Sequence, residues 1–424
     1  MEPSKHSLPE DANISEMKDE TFHIMDEVLD ETPIRMAGSV EGKKAAENLY
    51  QMYEERIKNG KVTMDEFFVH PMALLQFFKI VSVIYTICFI MLLIGDFLLP
   101  YVLVIYYSAM VYSFSQFVFY KTYFDWVHKK KKGYNVHVKL EPEEEVKQQI
   151  IVTGHHDTPF IFNYIEPLKW QKYYAVRISL GLIPAFAVLF YITYWAIAKY
   201  QFGQDPILKM AFLVFMGVGL IFVLPFFKFL SSEGSPGAGD NLVSTAMTVV
   251  LTEYFGGNKK LKNTRVILGT MDAEESGLRG AMAFTEKYQD LIDEVPTYAL
   301  ILDGIYQTED LQFLSYDING FLPLSKKMAR ECSEVAEDLG LDIPAIRMPF
   351  GGGGTDAAAF QRAGAKSTCL IGIASDLIRE DLHYHTSRDT PDKIDPEAVE
   401  DALEIVISYI LKKDNQYNRQ NELN

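Results

Sequence analysis

The chain has 424 residues, of which 48% are apolar, and a formal net charge of −17. This length allows two or three ordinary domains. The acidic balance argues against a general nucleic-acid binder, because the one evident basic run is short, at residues 129–132. The three cysteines, Cys88, Cys332 and Cys369, are too widely spaced for a disulfide framework or a CxxC metal pair, and they are compatible with a reducing compartment.

The two ends of the chain are polar. Residues 1–30 are rich in Asp and Glu and lack the apolar centre of a signal peptide, so they predict a disordered acidic tail. Residues 414–424 predict a polar tail. Between these tails, residues 31–72, 133–172 and 231–413 are predicted to form one interrupted domain.

Two long apolar stretches interrupt that domain. A membrane-spanning helix needs about 20 mostly apolar residues, and residues 74–95, 97–119, 178–198 and 207–227 meet this requirement. They predict two transmembrane hairpins, at 73–123 and 173–230. The alternative is four buried core helices of a large soluble domain, but few soluble helices are apolar all round.

Each hairpin returns the chain to its starting side, so the whole polar domain is expected on one side of the bilayer. Lys and Arg concentrate in cytoplasmic flanks of membrane proteins. The domain-side flanks contain most of these residues, and the second hairpin tip contains Lys199 and Lys209. This bias predicts a cytoplasmic domain.

Outside the hairpins, β-branched runs alternate with helical stretches. The runs at 148–153, 264–269, 298–302 and 366–372 predict strands, and those at 241–254, 324–339 and 396–412 predict helices. This alternation is typical of an α/β fold, with a central mixed sheet flanked by helices. Ligands bind at the carboxyl ends of the strands in such sheets, so His155, Asp157, residues 272–275 and Asp303 are expected to converge there.

Two of the candidate metal ligands precede the middle of the chain. His155 lies in GHHDTP, where the HxD spacing places Asp157 on the same side and allows it to orient the imidazole. Asp240 lies in GSPGAGDN, directly before a predicted helix. It could cap that helix or reach a metal ion from a tight glycine turn, and the local pattern leaves both readings open.

The remaining candidates follow later strands. Glu274 and Glu275, in MDAEESGLRG, require a nearby cation or wide solvation because adjacent carboxylates repel. A metal-bound Glu beside a general base satisfies this requirement, and so does a solvated acidic turn. Asp303 ends the apolar strand YALILDG, where an unpaired carboxylate is unfavourable. His385 lies in the loop HYHTSRDTPDK, where most histidines are simply solvated.

The ordered motifs HHD, GAGDN, AEESGLRG, ILDG and YHTSRDTPDKID resemble the co-catalytic di-zinc peptidase family, which includes bacterial leucyl aminopeptidases, glutamate carboxypeptidase II and glutaminyl cyclases. The resemblance covers roughly 30–72 and 133–424 once the hairpins are excluded. It implies two Zn²⁺ ions, with Asp240 bridging them, Glu274 as the general base and Asp157 orienting His155. The implied ligands are His155, Asp240 and Asp303 for one ion, and Asp240, Glu275 and His385 for the other.

The segment GGGGTDAAAF (351–360) is instead closer to a related tetrahedral aminopeptidase family of the same clan. Its Gly353, Thr355 and Asp356, together with Tyr384, are candidates for substrate binding.

The expected function is a membrane-anchored zinc metallopeptidase that removes residues from a free N-terminus of peptide or protein substrates. One alternative is a glutaminyl-cyclase-like aminoacyl transferase with a single zinc, and another is a metal-free interaction module. Transport has little support, since the spans carry no acidic residue beyond Asp96 at a tip.

Overall fold

The computed structural model describes residues 12–201, 206–257, 261–373 and 382–422. Its strands are β1 (Lys61–Val69), β2 (Lys131–Leu140), β3 (Gln148–His155), β4 (Phe160–Phe162), β5 (Leu230–Gly234), β6 (Thr264–Met271), β7 (Thr297–Asp303), β8 (Gln312–Asp317), β9 (Leu322–Pro323), β10 (Ala345–Arg347) and β11 (Lys366–Ile371). Its α-helices are α1 (Ile14–Glu31), α2 (Val40–Arg56), α3 (Phe77–Ile94), α4 (Leu99–Ser113), α5 (Leu168–Gln171), α6 (Tyr174–Gln201), α7 (Pro206–Val223), α8 (Val243–Gly256), α9 (Arg279–Lys287), α10 (Gln289–Glu294), α11 (Lys326–Leu339), α12 (Ala357–Arg362) and α13 (Pro396–Glu422).

One mixed sheet organises the polar domain, with strand order β1-β2-β6-β3-β7-β11-β8-β10 and with β9 paired to β8. The four central strands β6, β3, β7 and β11 run parallel, whereas β2 and β8 join them in antiparallel fashion. His155 pairs with Met271, and Ile371 pairs with Asp303. The carboxyl ends of the central strands therefore meet at one edge of the sheet. The expected α/β fold with a central mixed sheet is confirmed.

The central strands are apolar runs because helices cover both faces of the sheet. Every residue of β3 and β6 is buried. Side chains alternate between the faces, so Ile150 and Val152 join the apolar cluster that contains α8 and α13. Ile151 points the other way, into the cluster that contains α9 and α12.

The predicted disordered acidic tail is wrong within the described residues, and the predicted polar tail continues the last helix of the domain. Helix α1 begins at an Asn13 cap and buries Ile24, Met25 and Val28 against the domain. The prediction followed the acidic composition of this segment and overlooked that its apolar residues are spaced as on one face of a helix. At the other end, α13 continues to Glu422, and the buried Asp414 accepts hydrogen bonds from the amides of Lys262 and Asn263. Residues 1–11 and 423–424 lie outside the described residues.

Four helical segments are long and apolar enough to cross a membrane: Phe77–Ile94, Asp96–Val118, Tyr174–Ala198 and Pro206–Lys228. They pack as two adjacent hairpins. The hydroxyl of Tyr85 donates to the carbonyl of Met216 at 3.1 Å, and that of Ser82 donates to Val223 at 2.8 Å. Lys209 at the start of α7 pairs with Asp96 at the first tip, with 2.5 Å between Nζ and Oδ1. The two tips therefore lie at the same end of the bundle.

The outer surface of this bundle is also apolar. Phe97, Val104, Phe190 and Ile221 are 67–74% exposed. Soluble proteins rarely expose such continuous apolar surface. This exposure favours the membrane interpretation over four buried core helices.

The second hairpin leaves and re-enters the domain at one place. Strands β4 and β5 lie on either side of it in sequence and pair antiparallel, with Phe162 opposite Leu230. His155 and Asp240 therefore reach the same site although the hairpin separates them in sequence.

Candidate metal centre

The structure brings the five predicted ligands and Glu274 together at the carboxyl edge of the sheet. His155 and Asp303 end β3 and β7, and Glu274 and Glu275 follow β6. Asp240 comes from the turn before α8, and His385 from the loop before α13. The Nε2 atom of His155 lies 3.8 Å from Oδ1 of Asp303 and 3.9 Å from Oε2 of Glu274.

Asp240 stands between the two imidazoles. Its Oδ1 lies 3.2 Å from Nε2 of His155, and its Oδ2 lies 3.3 Å from Nε2 of His385. The same His385 nitrogen lies 3.3 Å from Oε1 of Glu275. One carboxylate thus faces two separate groups of ligand atoms. Asp240 does not cap α8, whose N-cap residue is Leu242 and has no side-chain capping bond.

Asp157 connects the histidine to the acidic pair. Its Oδ1 lies 3.4 Å from Nδ1 of His155, on the opposite side of the ring from Asp240. The same carboxylate accepts hydrogen bonds from the amides of Glu274 and Glu275, at 3.0 and 3.1 Å. Asp157 is fully buried. It therefore fixes both the imidazole and the turn after β6.

The Asp240 turn is held by residues that sequence reasoning did not single out. Gly237 adopts a φ of +61°, which favours glycine, and begins the turn. Asp389 accepts hydrogen bonds from the amides of Gly239 and Asp240, at 2.8 and 3.2 Å. Asp389 stands in the quoted HTSRDTPDK segment, so its proximity to His385 was the available signal.

Arg35 was also missed, and it ties together the two loops that deliver the ligands. It is completely buried, and it donates to the carbonyl of His156 at 2.9 Å and to that of Gly237 at 3.1 Å. Burial lowers the pKa of Arg35 to about 10, which nearby carboxylates including Asp389 partly oppose. Nothing in the spacing of Arg35 along the chain points to these contacts.

The cluster has more carboxylates than imidazoles. Burial raises the pKa of Glu275 to about 7, and burial also raises the pKa of Glu274 well above its usual range. Burial would lower the pKa of His385, but Glu275 and Asp240 raise it to about 9. The ionised forms of these carboxyl groups are therefore unfavourable without a nearby positive charge. Bound cations would offset that charge.

The chemistry of the donor atoms fits zinc. Hydrolytic zinc sites use His and carboxylate ligands. Among the described residues, Nε2 of His155, Nε2 of His385 and Oδ2 of Asp240 are buried without a hydrogen-bond partner. One ligand atom each from His155, Asp240 and Glu275 lies within 4.8 Å of the others, close enough to hold one ion.

The predicted substrate-binding residues divide into two groups. Tyr384 and Gly353 line a cavity of about 160 Å³ that also contacts Glu274, Glu275 and His385. Thr355 does not line it, and its buried hydroxyl donates to Asp317 at 2.7 Å. Asp356 is also absent from the lining and is 1% exposed.

Tyr120, at the end of the first hairpin, is a further residue that sequence reasoning missed. It lines the cavity opposite Glu274 and Glu275, is 6% exposed and adopts a φ of 51°. Burial raises its pKa well above the usual value, and Glu274 adds to this shift. Tyr120 reaches the cavity because of the way the hairpin returns to the domain. No local sequence motif indicates that path.

A family model described as peptidase family M28 matches residues 225–410. The matched part contains Asp240, Glu274, Glu275, Asp303 and His385, and it leaves out His155. No curated protein matches the chain significantly.

Solved structures show a similar fold. A Fimbriiglobus ruber glutaminyl cyclase is 15% identical, with a TM-score of 0.55 over 97% of this chain and 99% of that one. A leucine aminopeptidase precursor from Bacteroides thetaiotaomicron is 12% identical, with a TM-score of 0.53 over 93% and 96%. An aminopeptidase from Aneurinibacillus sp. strain AM-1 is 14% identical, with a TM-score of 0.53 over 94% of each chain. Together with the peptidase family M28 match, these likenesses confirm the resemblance to the co-catalytic zinc peptidases that the motifs indicate.

Proposed function

We propose that the chain is a membrane-anchored, zinc-dependent aminopeptidase. The observation that carries this proposal is the position of Asp240, whose two oxygens face two different histidines at 3.2 and 3.3 Å. A carboxylate in that position suits a bridge between two metal ions. The match to peptidase family M28 supports peptide hydrolysis as the reaction class.

His155, Asp240 and Asp303 would hold one zinc ion, and Asp240, Glu275 and His385 the other. When bound, the ions would supply Lewis acidity to an attacking water and to the scissile carbonyl. Glu274 lines the cavity beside these ligands. It would accept the proton of the water and deliver it to the leaving amine.

The charge of Glu274 supports recognition of a free N-terminus. Glu274 lines the cavity and is not one of the proposed ligands, so its carboxylate would favour a cationic α-ammonium group over a blocked terminus. The solved aminopeptidases with a similar fold support the same choice.

We further propose that the four apolar helices anchor the enzyme in a bilayer and that the catalytic domain is cytoplasmic. The length and composition of the helices support anchoring. The Lys and Arg residues on the domain-side flanks support the orientation.

The test is digestion of a peptide library, followed by mass spectrometry, with the full-length protein in detergent or nanodiscs. We expect stepwise release of N-terminal residues from free peptides and none from N-acetylated ones. Glu274→Gln should lower kcat/KM by about 10²- to 10⁴-fold with the metal content unchanged. The exposed Glu143 supplies the control Glu143→Gln, which should behave as wild type.

Three outcomes would contradict the proposal. Equal cleavage of acetylated peptides would exclude an aminopeptidase. Formation of pyroglutamate from N-terminal Gln, with one zinc ion per chain, would instead support the cyclase alternative. A protein without metal, and a Glu274→Gln variant that behaves as wild type, would support an interaction module.

A further inference from the structure

Both membrane hairpins contribute walls to the cavity above the metal centre. Leu75 lies just before α3 and Phe78 in its first turn, Phe117 lies at the end of the first hairpin, and Tyr174 and Phe229 lie at the two ends of the second. The rings of Phe78 and Phe229 stack with 3.8 Å between their centroids. This contact joins the two hairpins at the cavity wall. The cavity is therefore apolar on the side that faces the bundle and acidic on the side that faces the sheet.

An exposed aromatic cluster adjoins this cavity. The aromatic rim, as we name it, consists of Phe119, Phe321 and Phe350, which are 41%, 51% and 74% exposed. Successive ring centroids in it are 5.8 and 6.0 Å apart. Phe350 stands between Pro349 and Gly351, and both of these neighbours line the cavity. Phe350 thus belongs to the loop that forms one edge of the cavity, and the ring contacts connect it to Phe321 and Phe119.

The rim continues the apolar surface of the hairpins. Phe119 directly follows the candidate span Asp96–Val118. The next segment of the chain exposes Tyr123 and Trp126, at 68% and 76%. Aromatic side chains at the ends of membrane spans are typical of the lipid–water interface. The aromatic rim begins at the end of a span and continues on the polar domain. If it contacts lipid, the cavity edge beside Phe350 lies at the membrane surface.

We infer that the aromatic rim inserts into the lipid–water interface, so that the cavity opens at the membrane surface. The substrate class is then a peptide held at that surface, with a bulky apolar N-terminal residue that enters between the hairpin walls. This inference rests on the proposed peptidase function for its substrate, but the position of the rim in the membrane does not depend on activity.

The position of the rim is tested with an environment-sensitive fluorophore. The chain offers a favourable background, because Cys88, Cys332 and Cys369 are all buried. A nitrobenzoxadiazole label on Phe350→Cys, in nanodiscs that contain a lipid with a shallow nitroxide, should be quenched at least twofold. The control is Glu145→Cys, since Glu145 precedes the amino end of β3 on the opposite edge of the sheet and its side chain is 76% exposed. Equal quenching at the two positions, or none at Phe350→Cys, would overturn the inference.

The substrate class is tested with two peptides that share a free N-terminal sequence beginning with Phe. One is soluble, and the other carries a C-terminal lipid anchor. In nanodiscs, wild type should show a higher kcat/KM for the anchored peptide. Phe321→Ser combined with Phe350→Ser should lower the ratio of the anchored to the soluble value by about tenfold, because less apolar surface holds the cavity edge at the lipid.

The two failures are distinguishable. If wild type hydrolyses neither peptide, or if Glu274→Gln hydrolyses both as well as wild type does, the proposed function fails while the quenching result stands. If wild type hydrolyses both peptides with equal kcat/KM, the peptidase stands and the membrane-held substrate class is wrong. A thermal unfolding midpoint of the double variant equal to that of wild type shows that a lowered ratio does not result from misfolding.

Discussion

The carboxyl edge of the sheet buries charged side chains, whereas the hairpin bundle exposes apolar ones. At the sheet edge, carboxylates and imidazoles are almost completely removed from water, with Asp240 and His385 each 2% exposed. In the bundle the charged groups lie near the ends, and large apolar side chains such as Phe190 are exposed. The sheet edge therefore gathers buried charge, whereas the bundle displays apolar surface.

The difference indicates which surroundings suit each region. A buried group of carboxyl groups is stabilised by compensating cations or by protonation. An apolar bundle surface is stable only when lipid or protein covers it. The residues of each region thus favour different surroundings. The two regions meet at the cavity, which Glu274 and Phe78 both line.

The largest effect is expected from breaking the charge balance at the sheet edge. If the site holds two zinc ions as proposed, Asp240→Asn should reduce them to nearly none, because its one carboxylate faces both histidines. Asp303→Asn should retain one ion, since Asp303 lies only on the His155 side, at 3.8 Å. Metal analysis of the purified variants measures both, with Asp290→Asn on the exposed surface as the control. Loss of both ions from Asp303→Asn would refute this division of ligands.

A smaller effect is expected from two glycines of α7 that have different neighbours. A Cβ atom at Gly219 would lie 2.2 Å from the Tyr85 hydroxyl, whereas one at Gly217 would lie 3.5 Å from Cζ of Phe89. Gly219→Ala should therefore destabilise the protein by about 1–3 kcal/mol through overpacking. Gly217→Ala should be neutral or stabilising by up to about 1 kcal/mol.

Thermal unfolding of the two glycine variants in one detergent provides the comparison. Zinc content should be the same in both, because neither glycine is near the sheet edge. Equal midpoints for Gly217→Ala and Gly219→Ala would mean that α3 and α7 do not pack as described.

A stability effect that is absent at neutral pH concerns a buried histidine of the sheet away from the candidate metal centre. Burial lowers the pKa of His137 on β2 to about 4, although Asp65, 3.7 Å away, opposes the shift. Between pH 6.5 and pH 4 the unfolded chain binds a proton at this position that the folded chain does not. Stability is therefore full above pH 6.5 and falls as the pH decreases, by about 2 kcal/mol at pH 5.

His137→Gln removes this proton uptake. The difference in unfolding midpoint between wild type and variant should consequently shrink, or change sign, between pH 7.5 and pH 5. A difference that stays constant over this range would show that His137 titrates alike in the folded and unfolded states.

Most of the catalytic-domain elements could be predicted from the sequence, because their patterns are local. The strands predicted at 148–153 and 264–269 form β3 and β6, and both extend two residues further, to His155 and Met271. Helix α1 was not predicted, since an acidic composition outweighed the spacing of Ile24, Met25 and Val28. Strand β1 at the edge of the sheet and its neighbour β2 were also not predicted, because polar residues interrupt both strands and leave no continuous apolar run.

The six residues of the candidate metal centre could be named from the sequence only as a set, through the ordered motifs that resemble the di-zinc peptidases, because each motif alone also fits a capping, solvated or structural role. The supporting residues could not. Arg35 acts through carbonyl groups at His156 and Gly237, 121 and 202 positions away along the chain. Such contacts depend on how loops pack. The sequence does not distinguish an Arg that makes them from an Arg on the surface.

The sequence by itself indicated the α/β class and the four apolar segments, because these rest on residue type and short-range periodicity, and it indicated the candidate ligands through the order of their motifs. Only the tertiary structure decided that Asp240 faces both histidines, that Asp389 and Arg35 hold its turn, and that Tyr120 and Phe78 from the hairpin line the cavity. The physical reason is that these arrangements join segments more than 80 residues apart. Their energy comes from burial and from hydrogen bonds that exist only after the chain has folded.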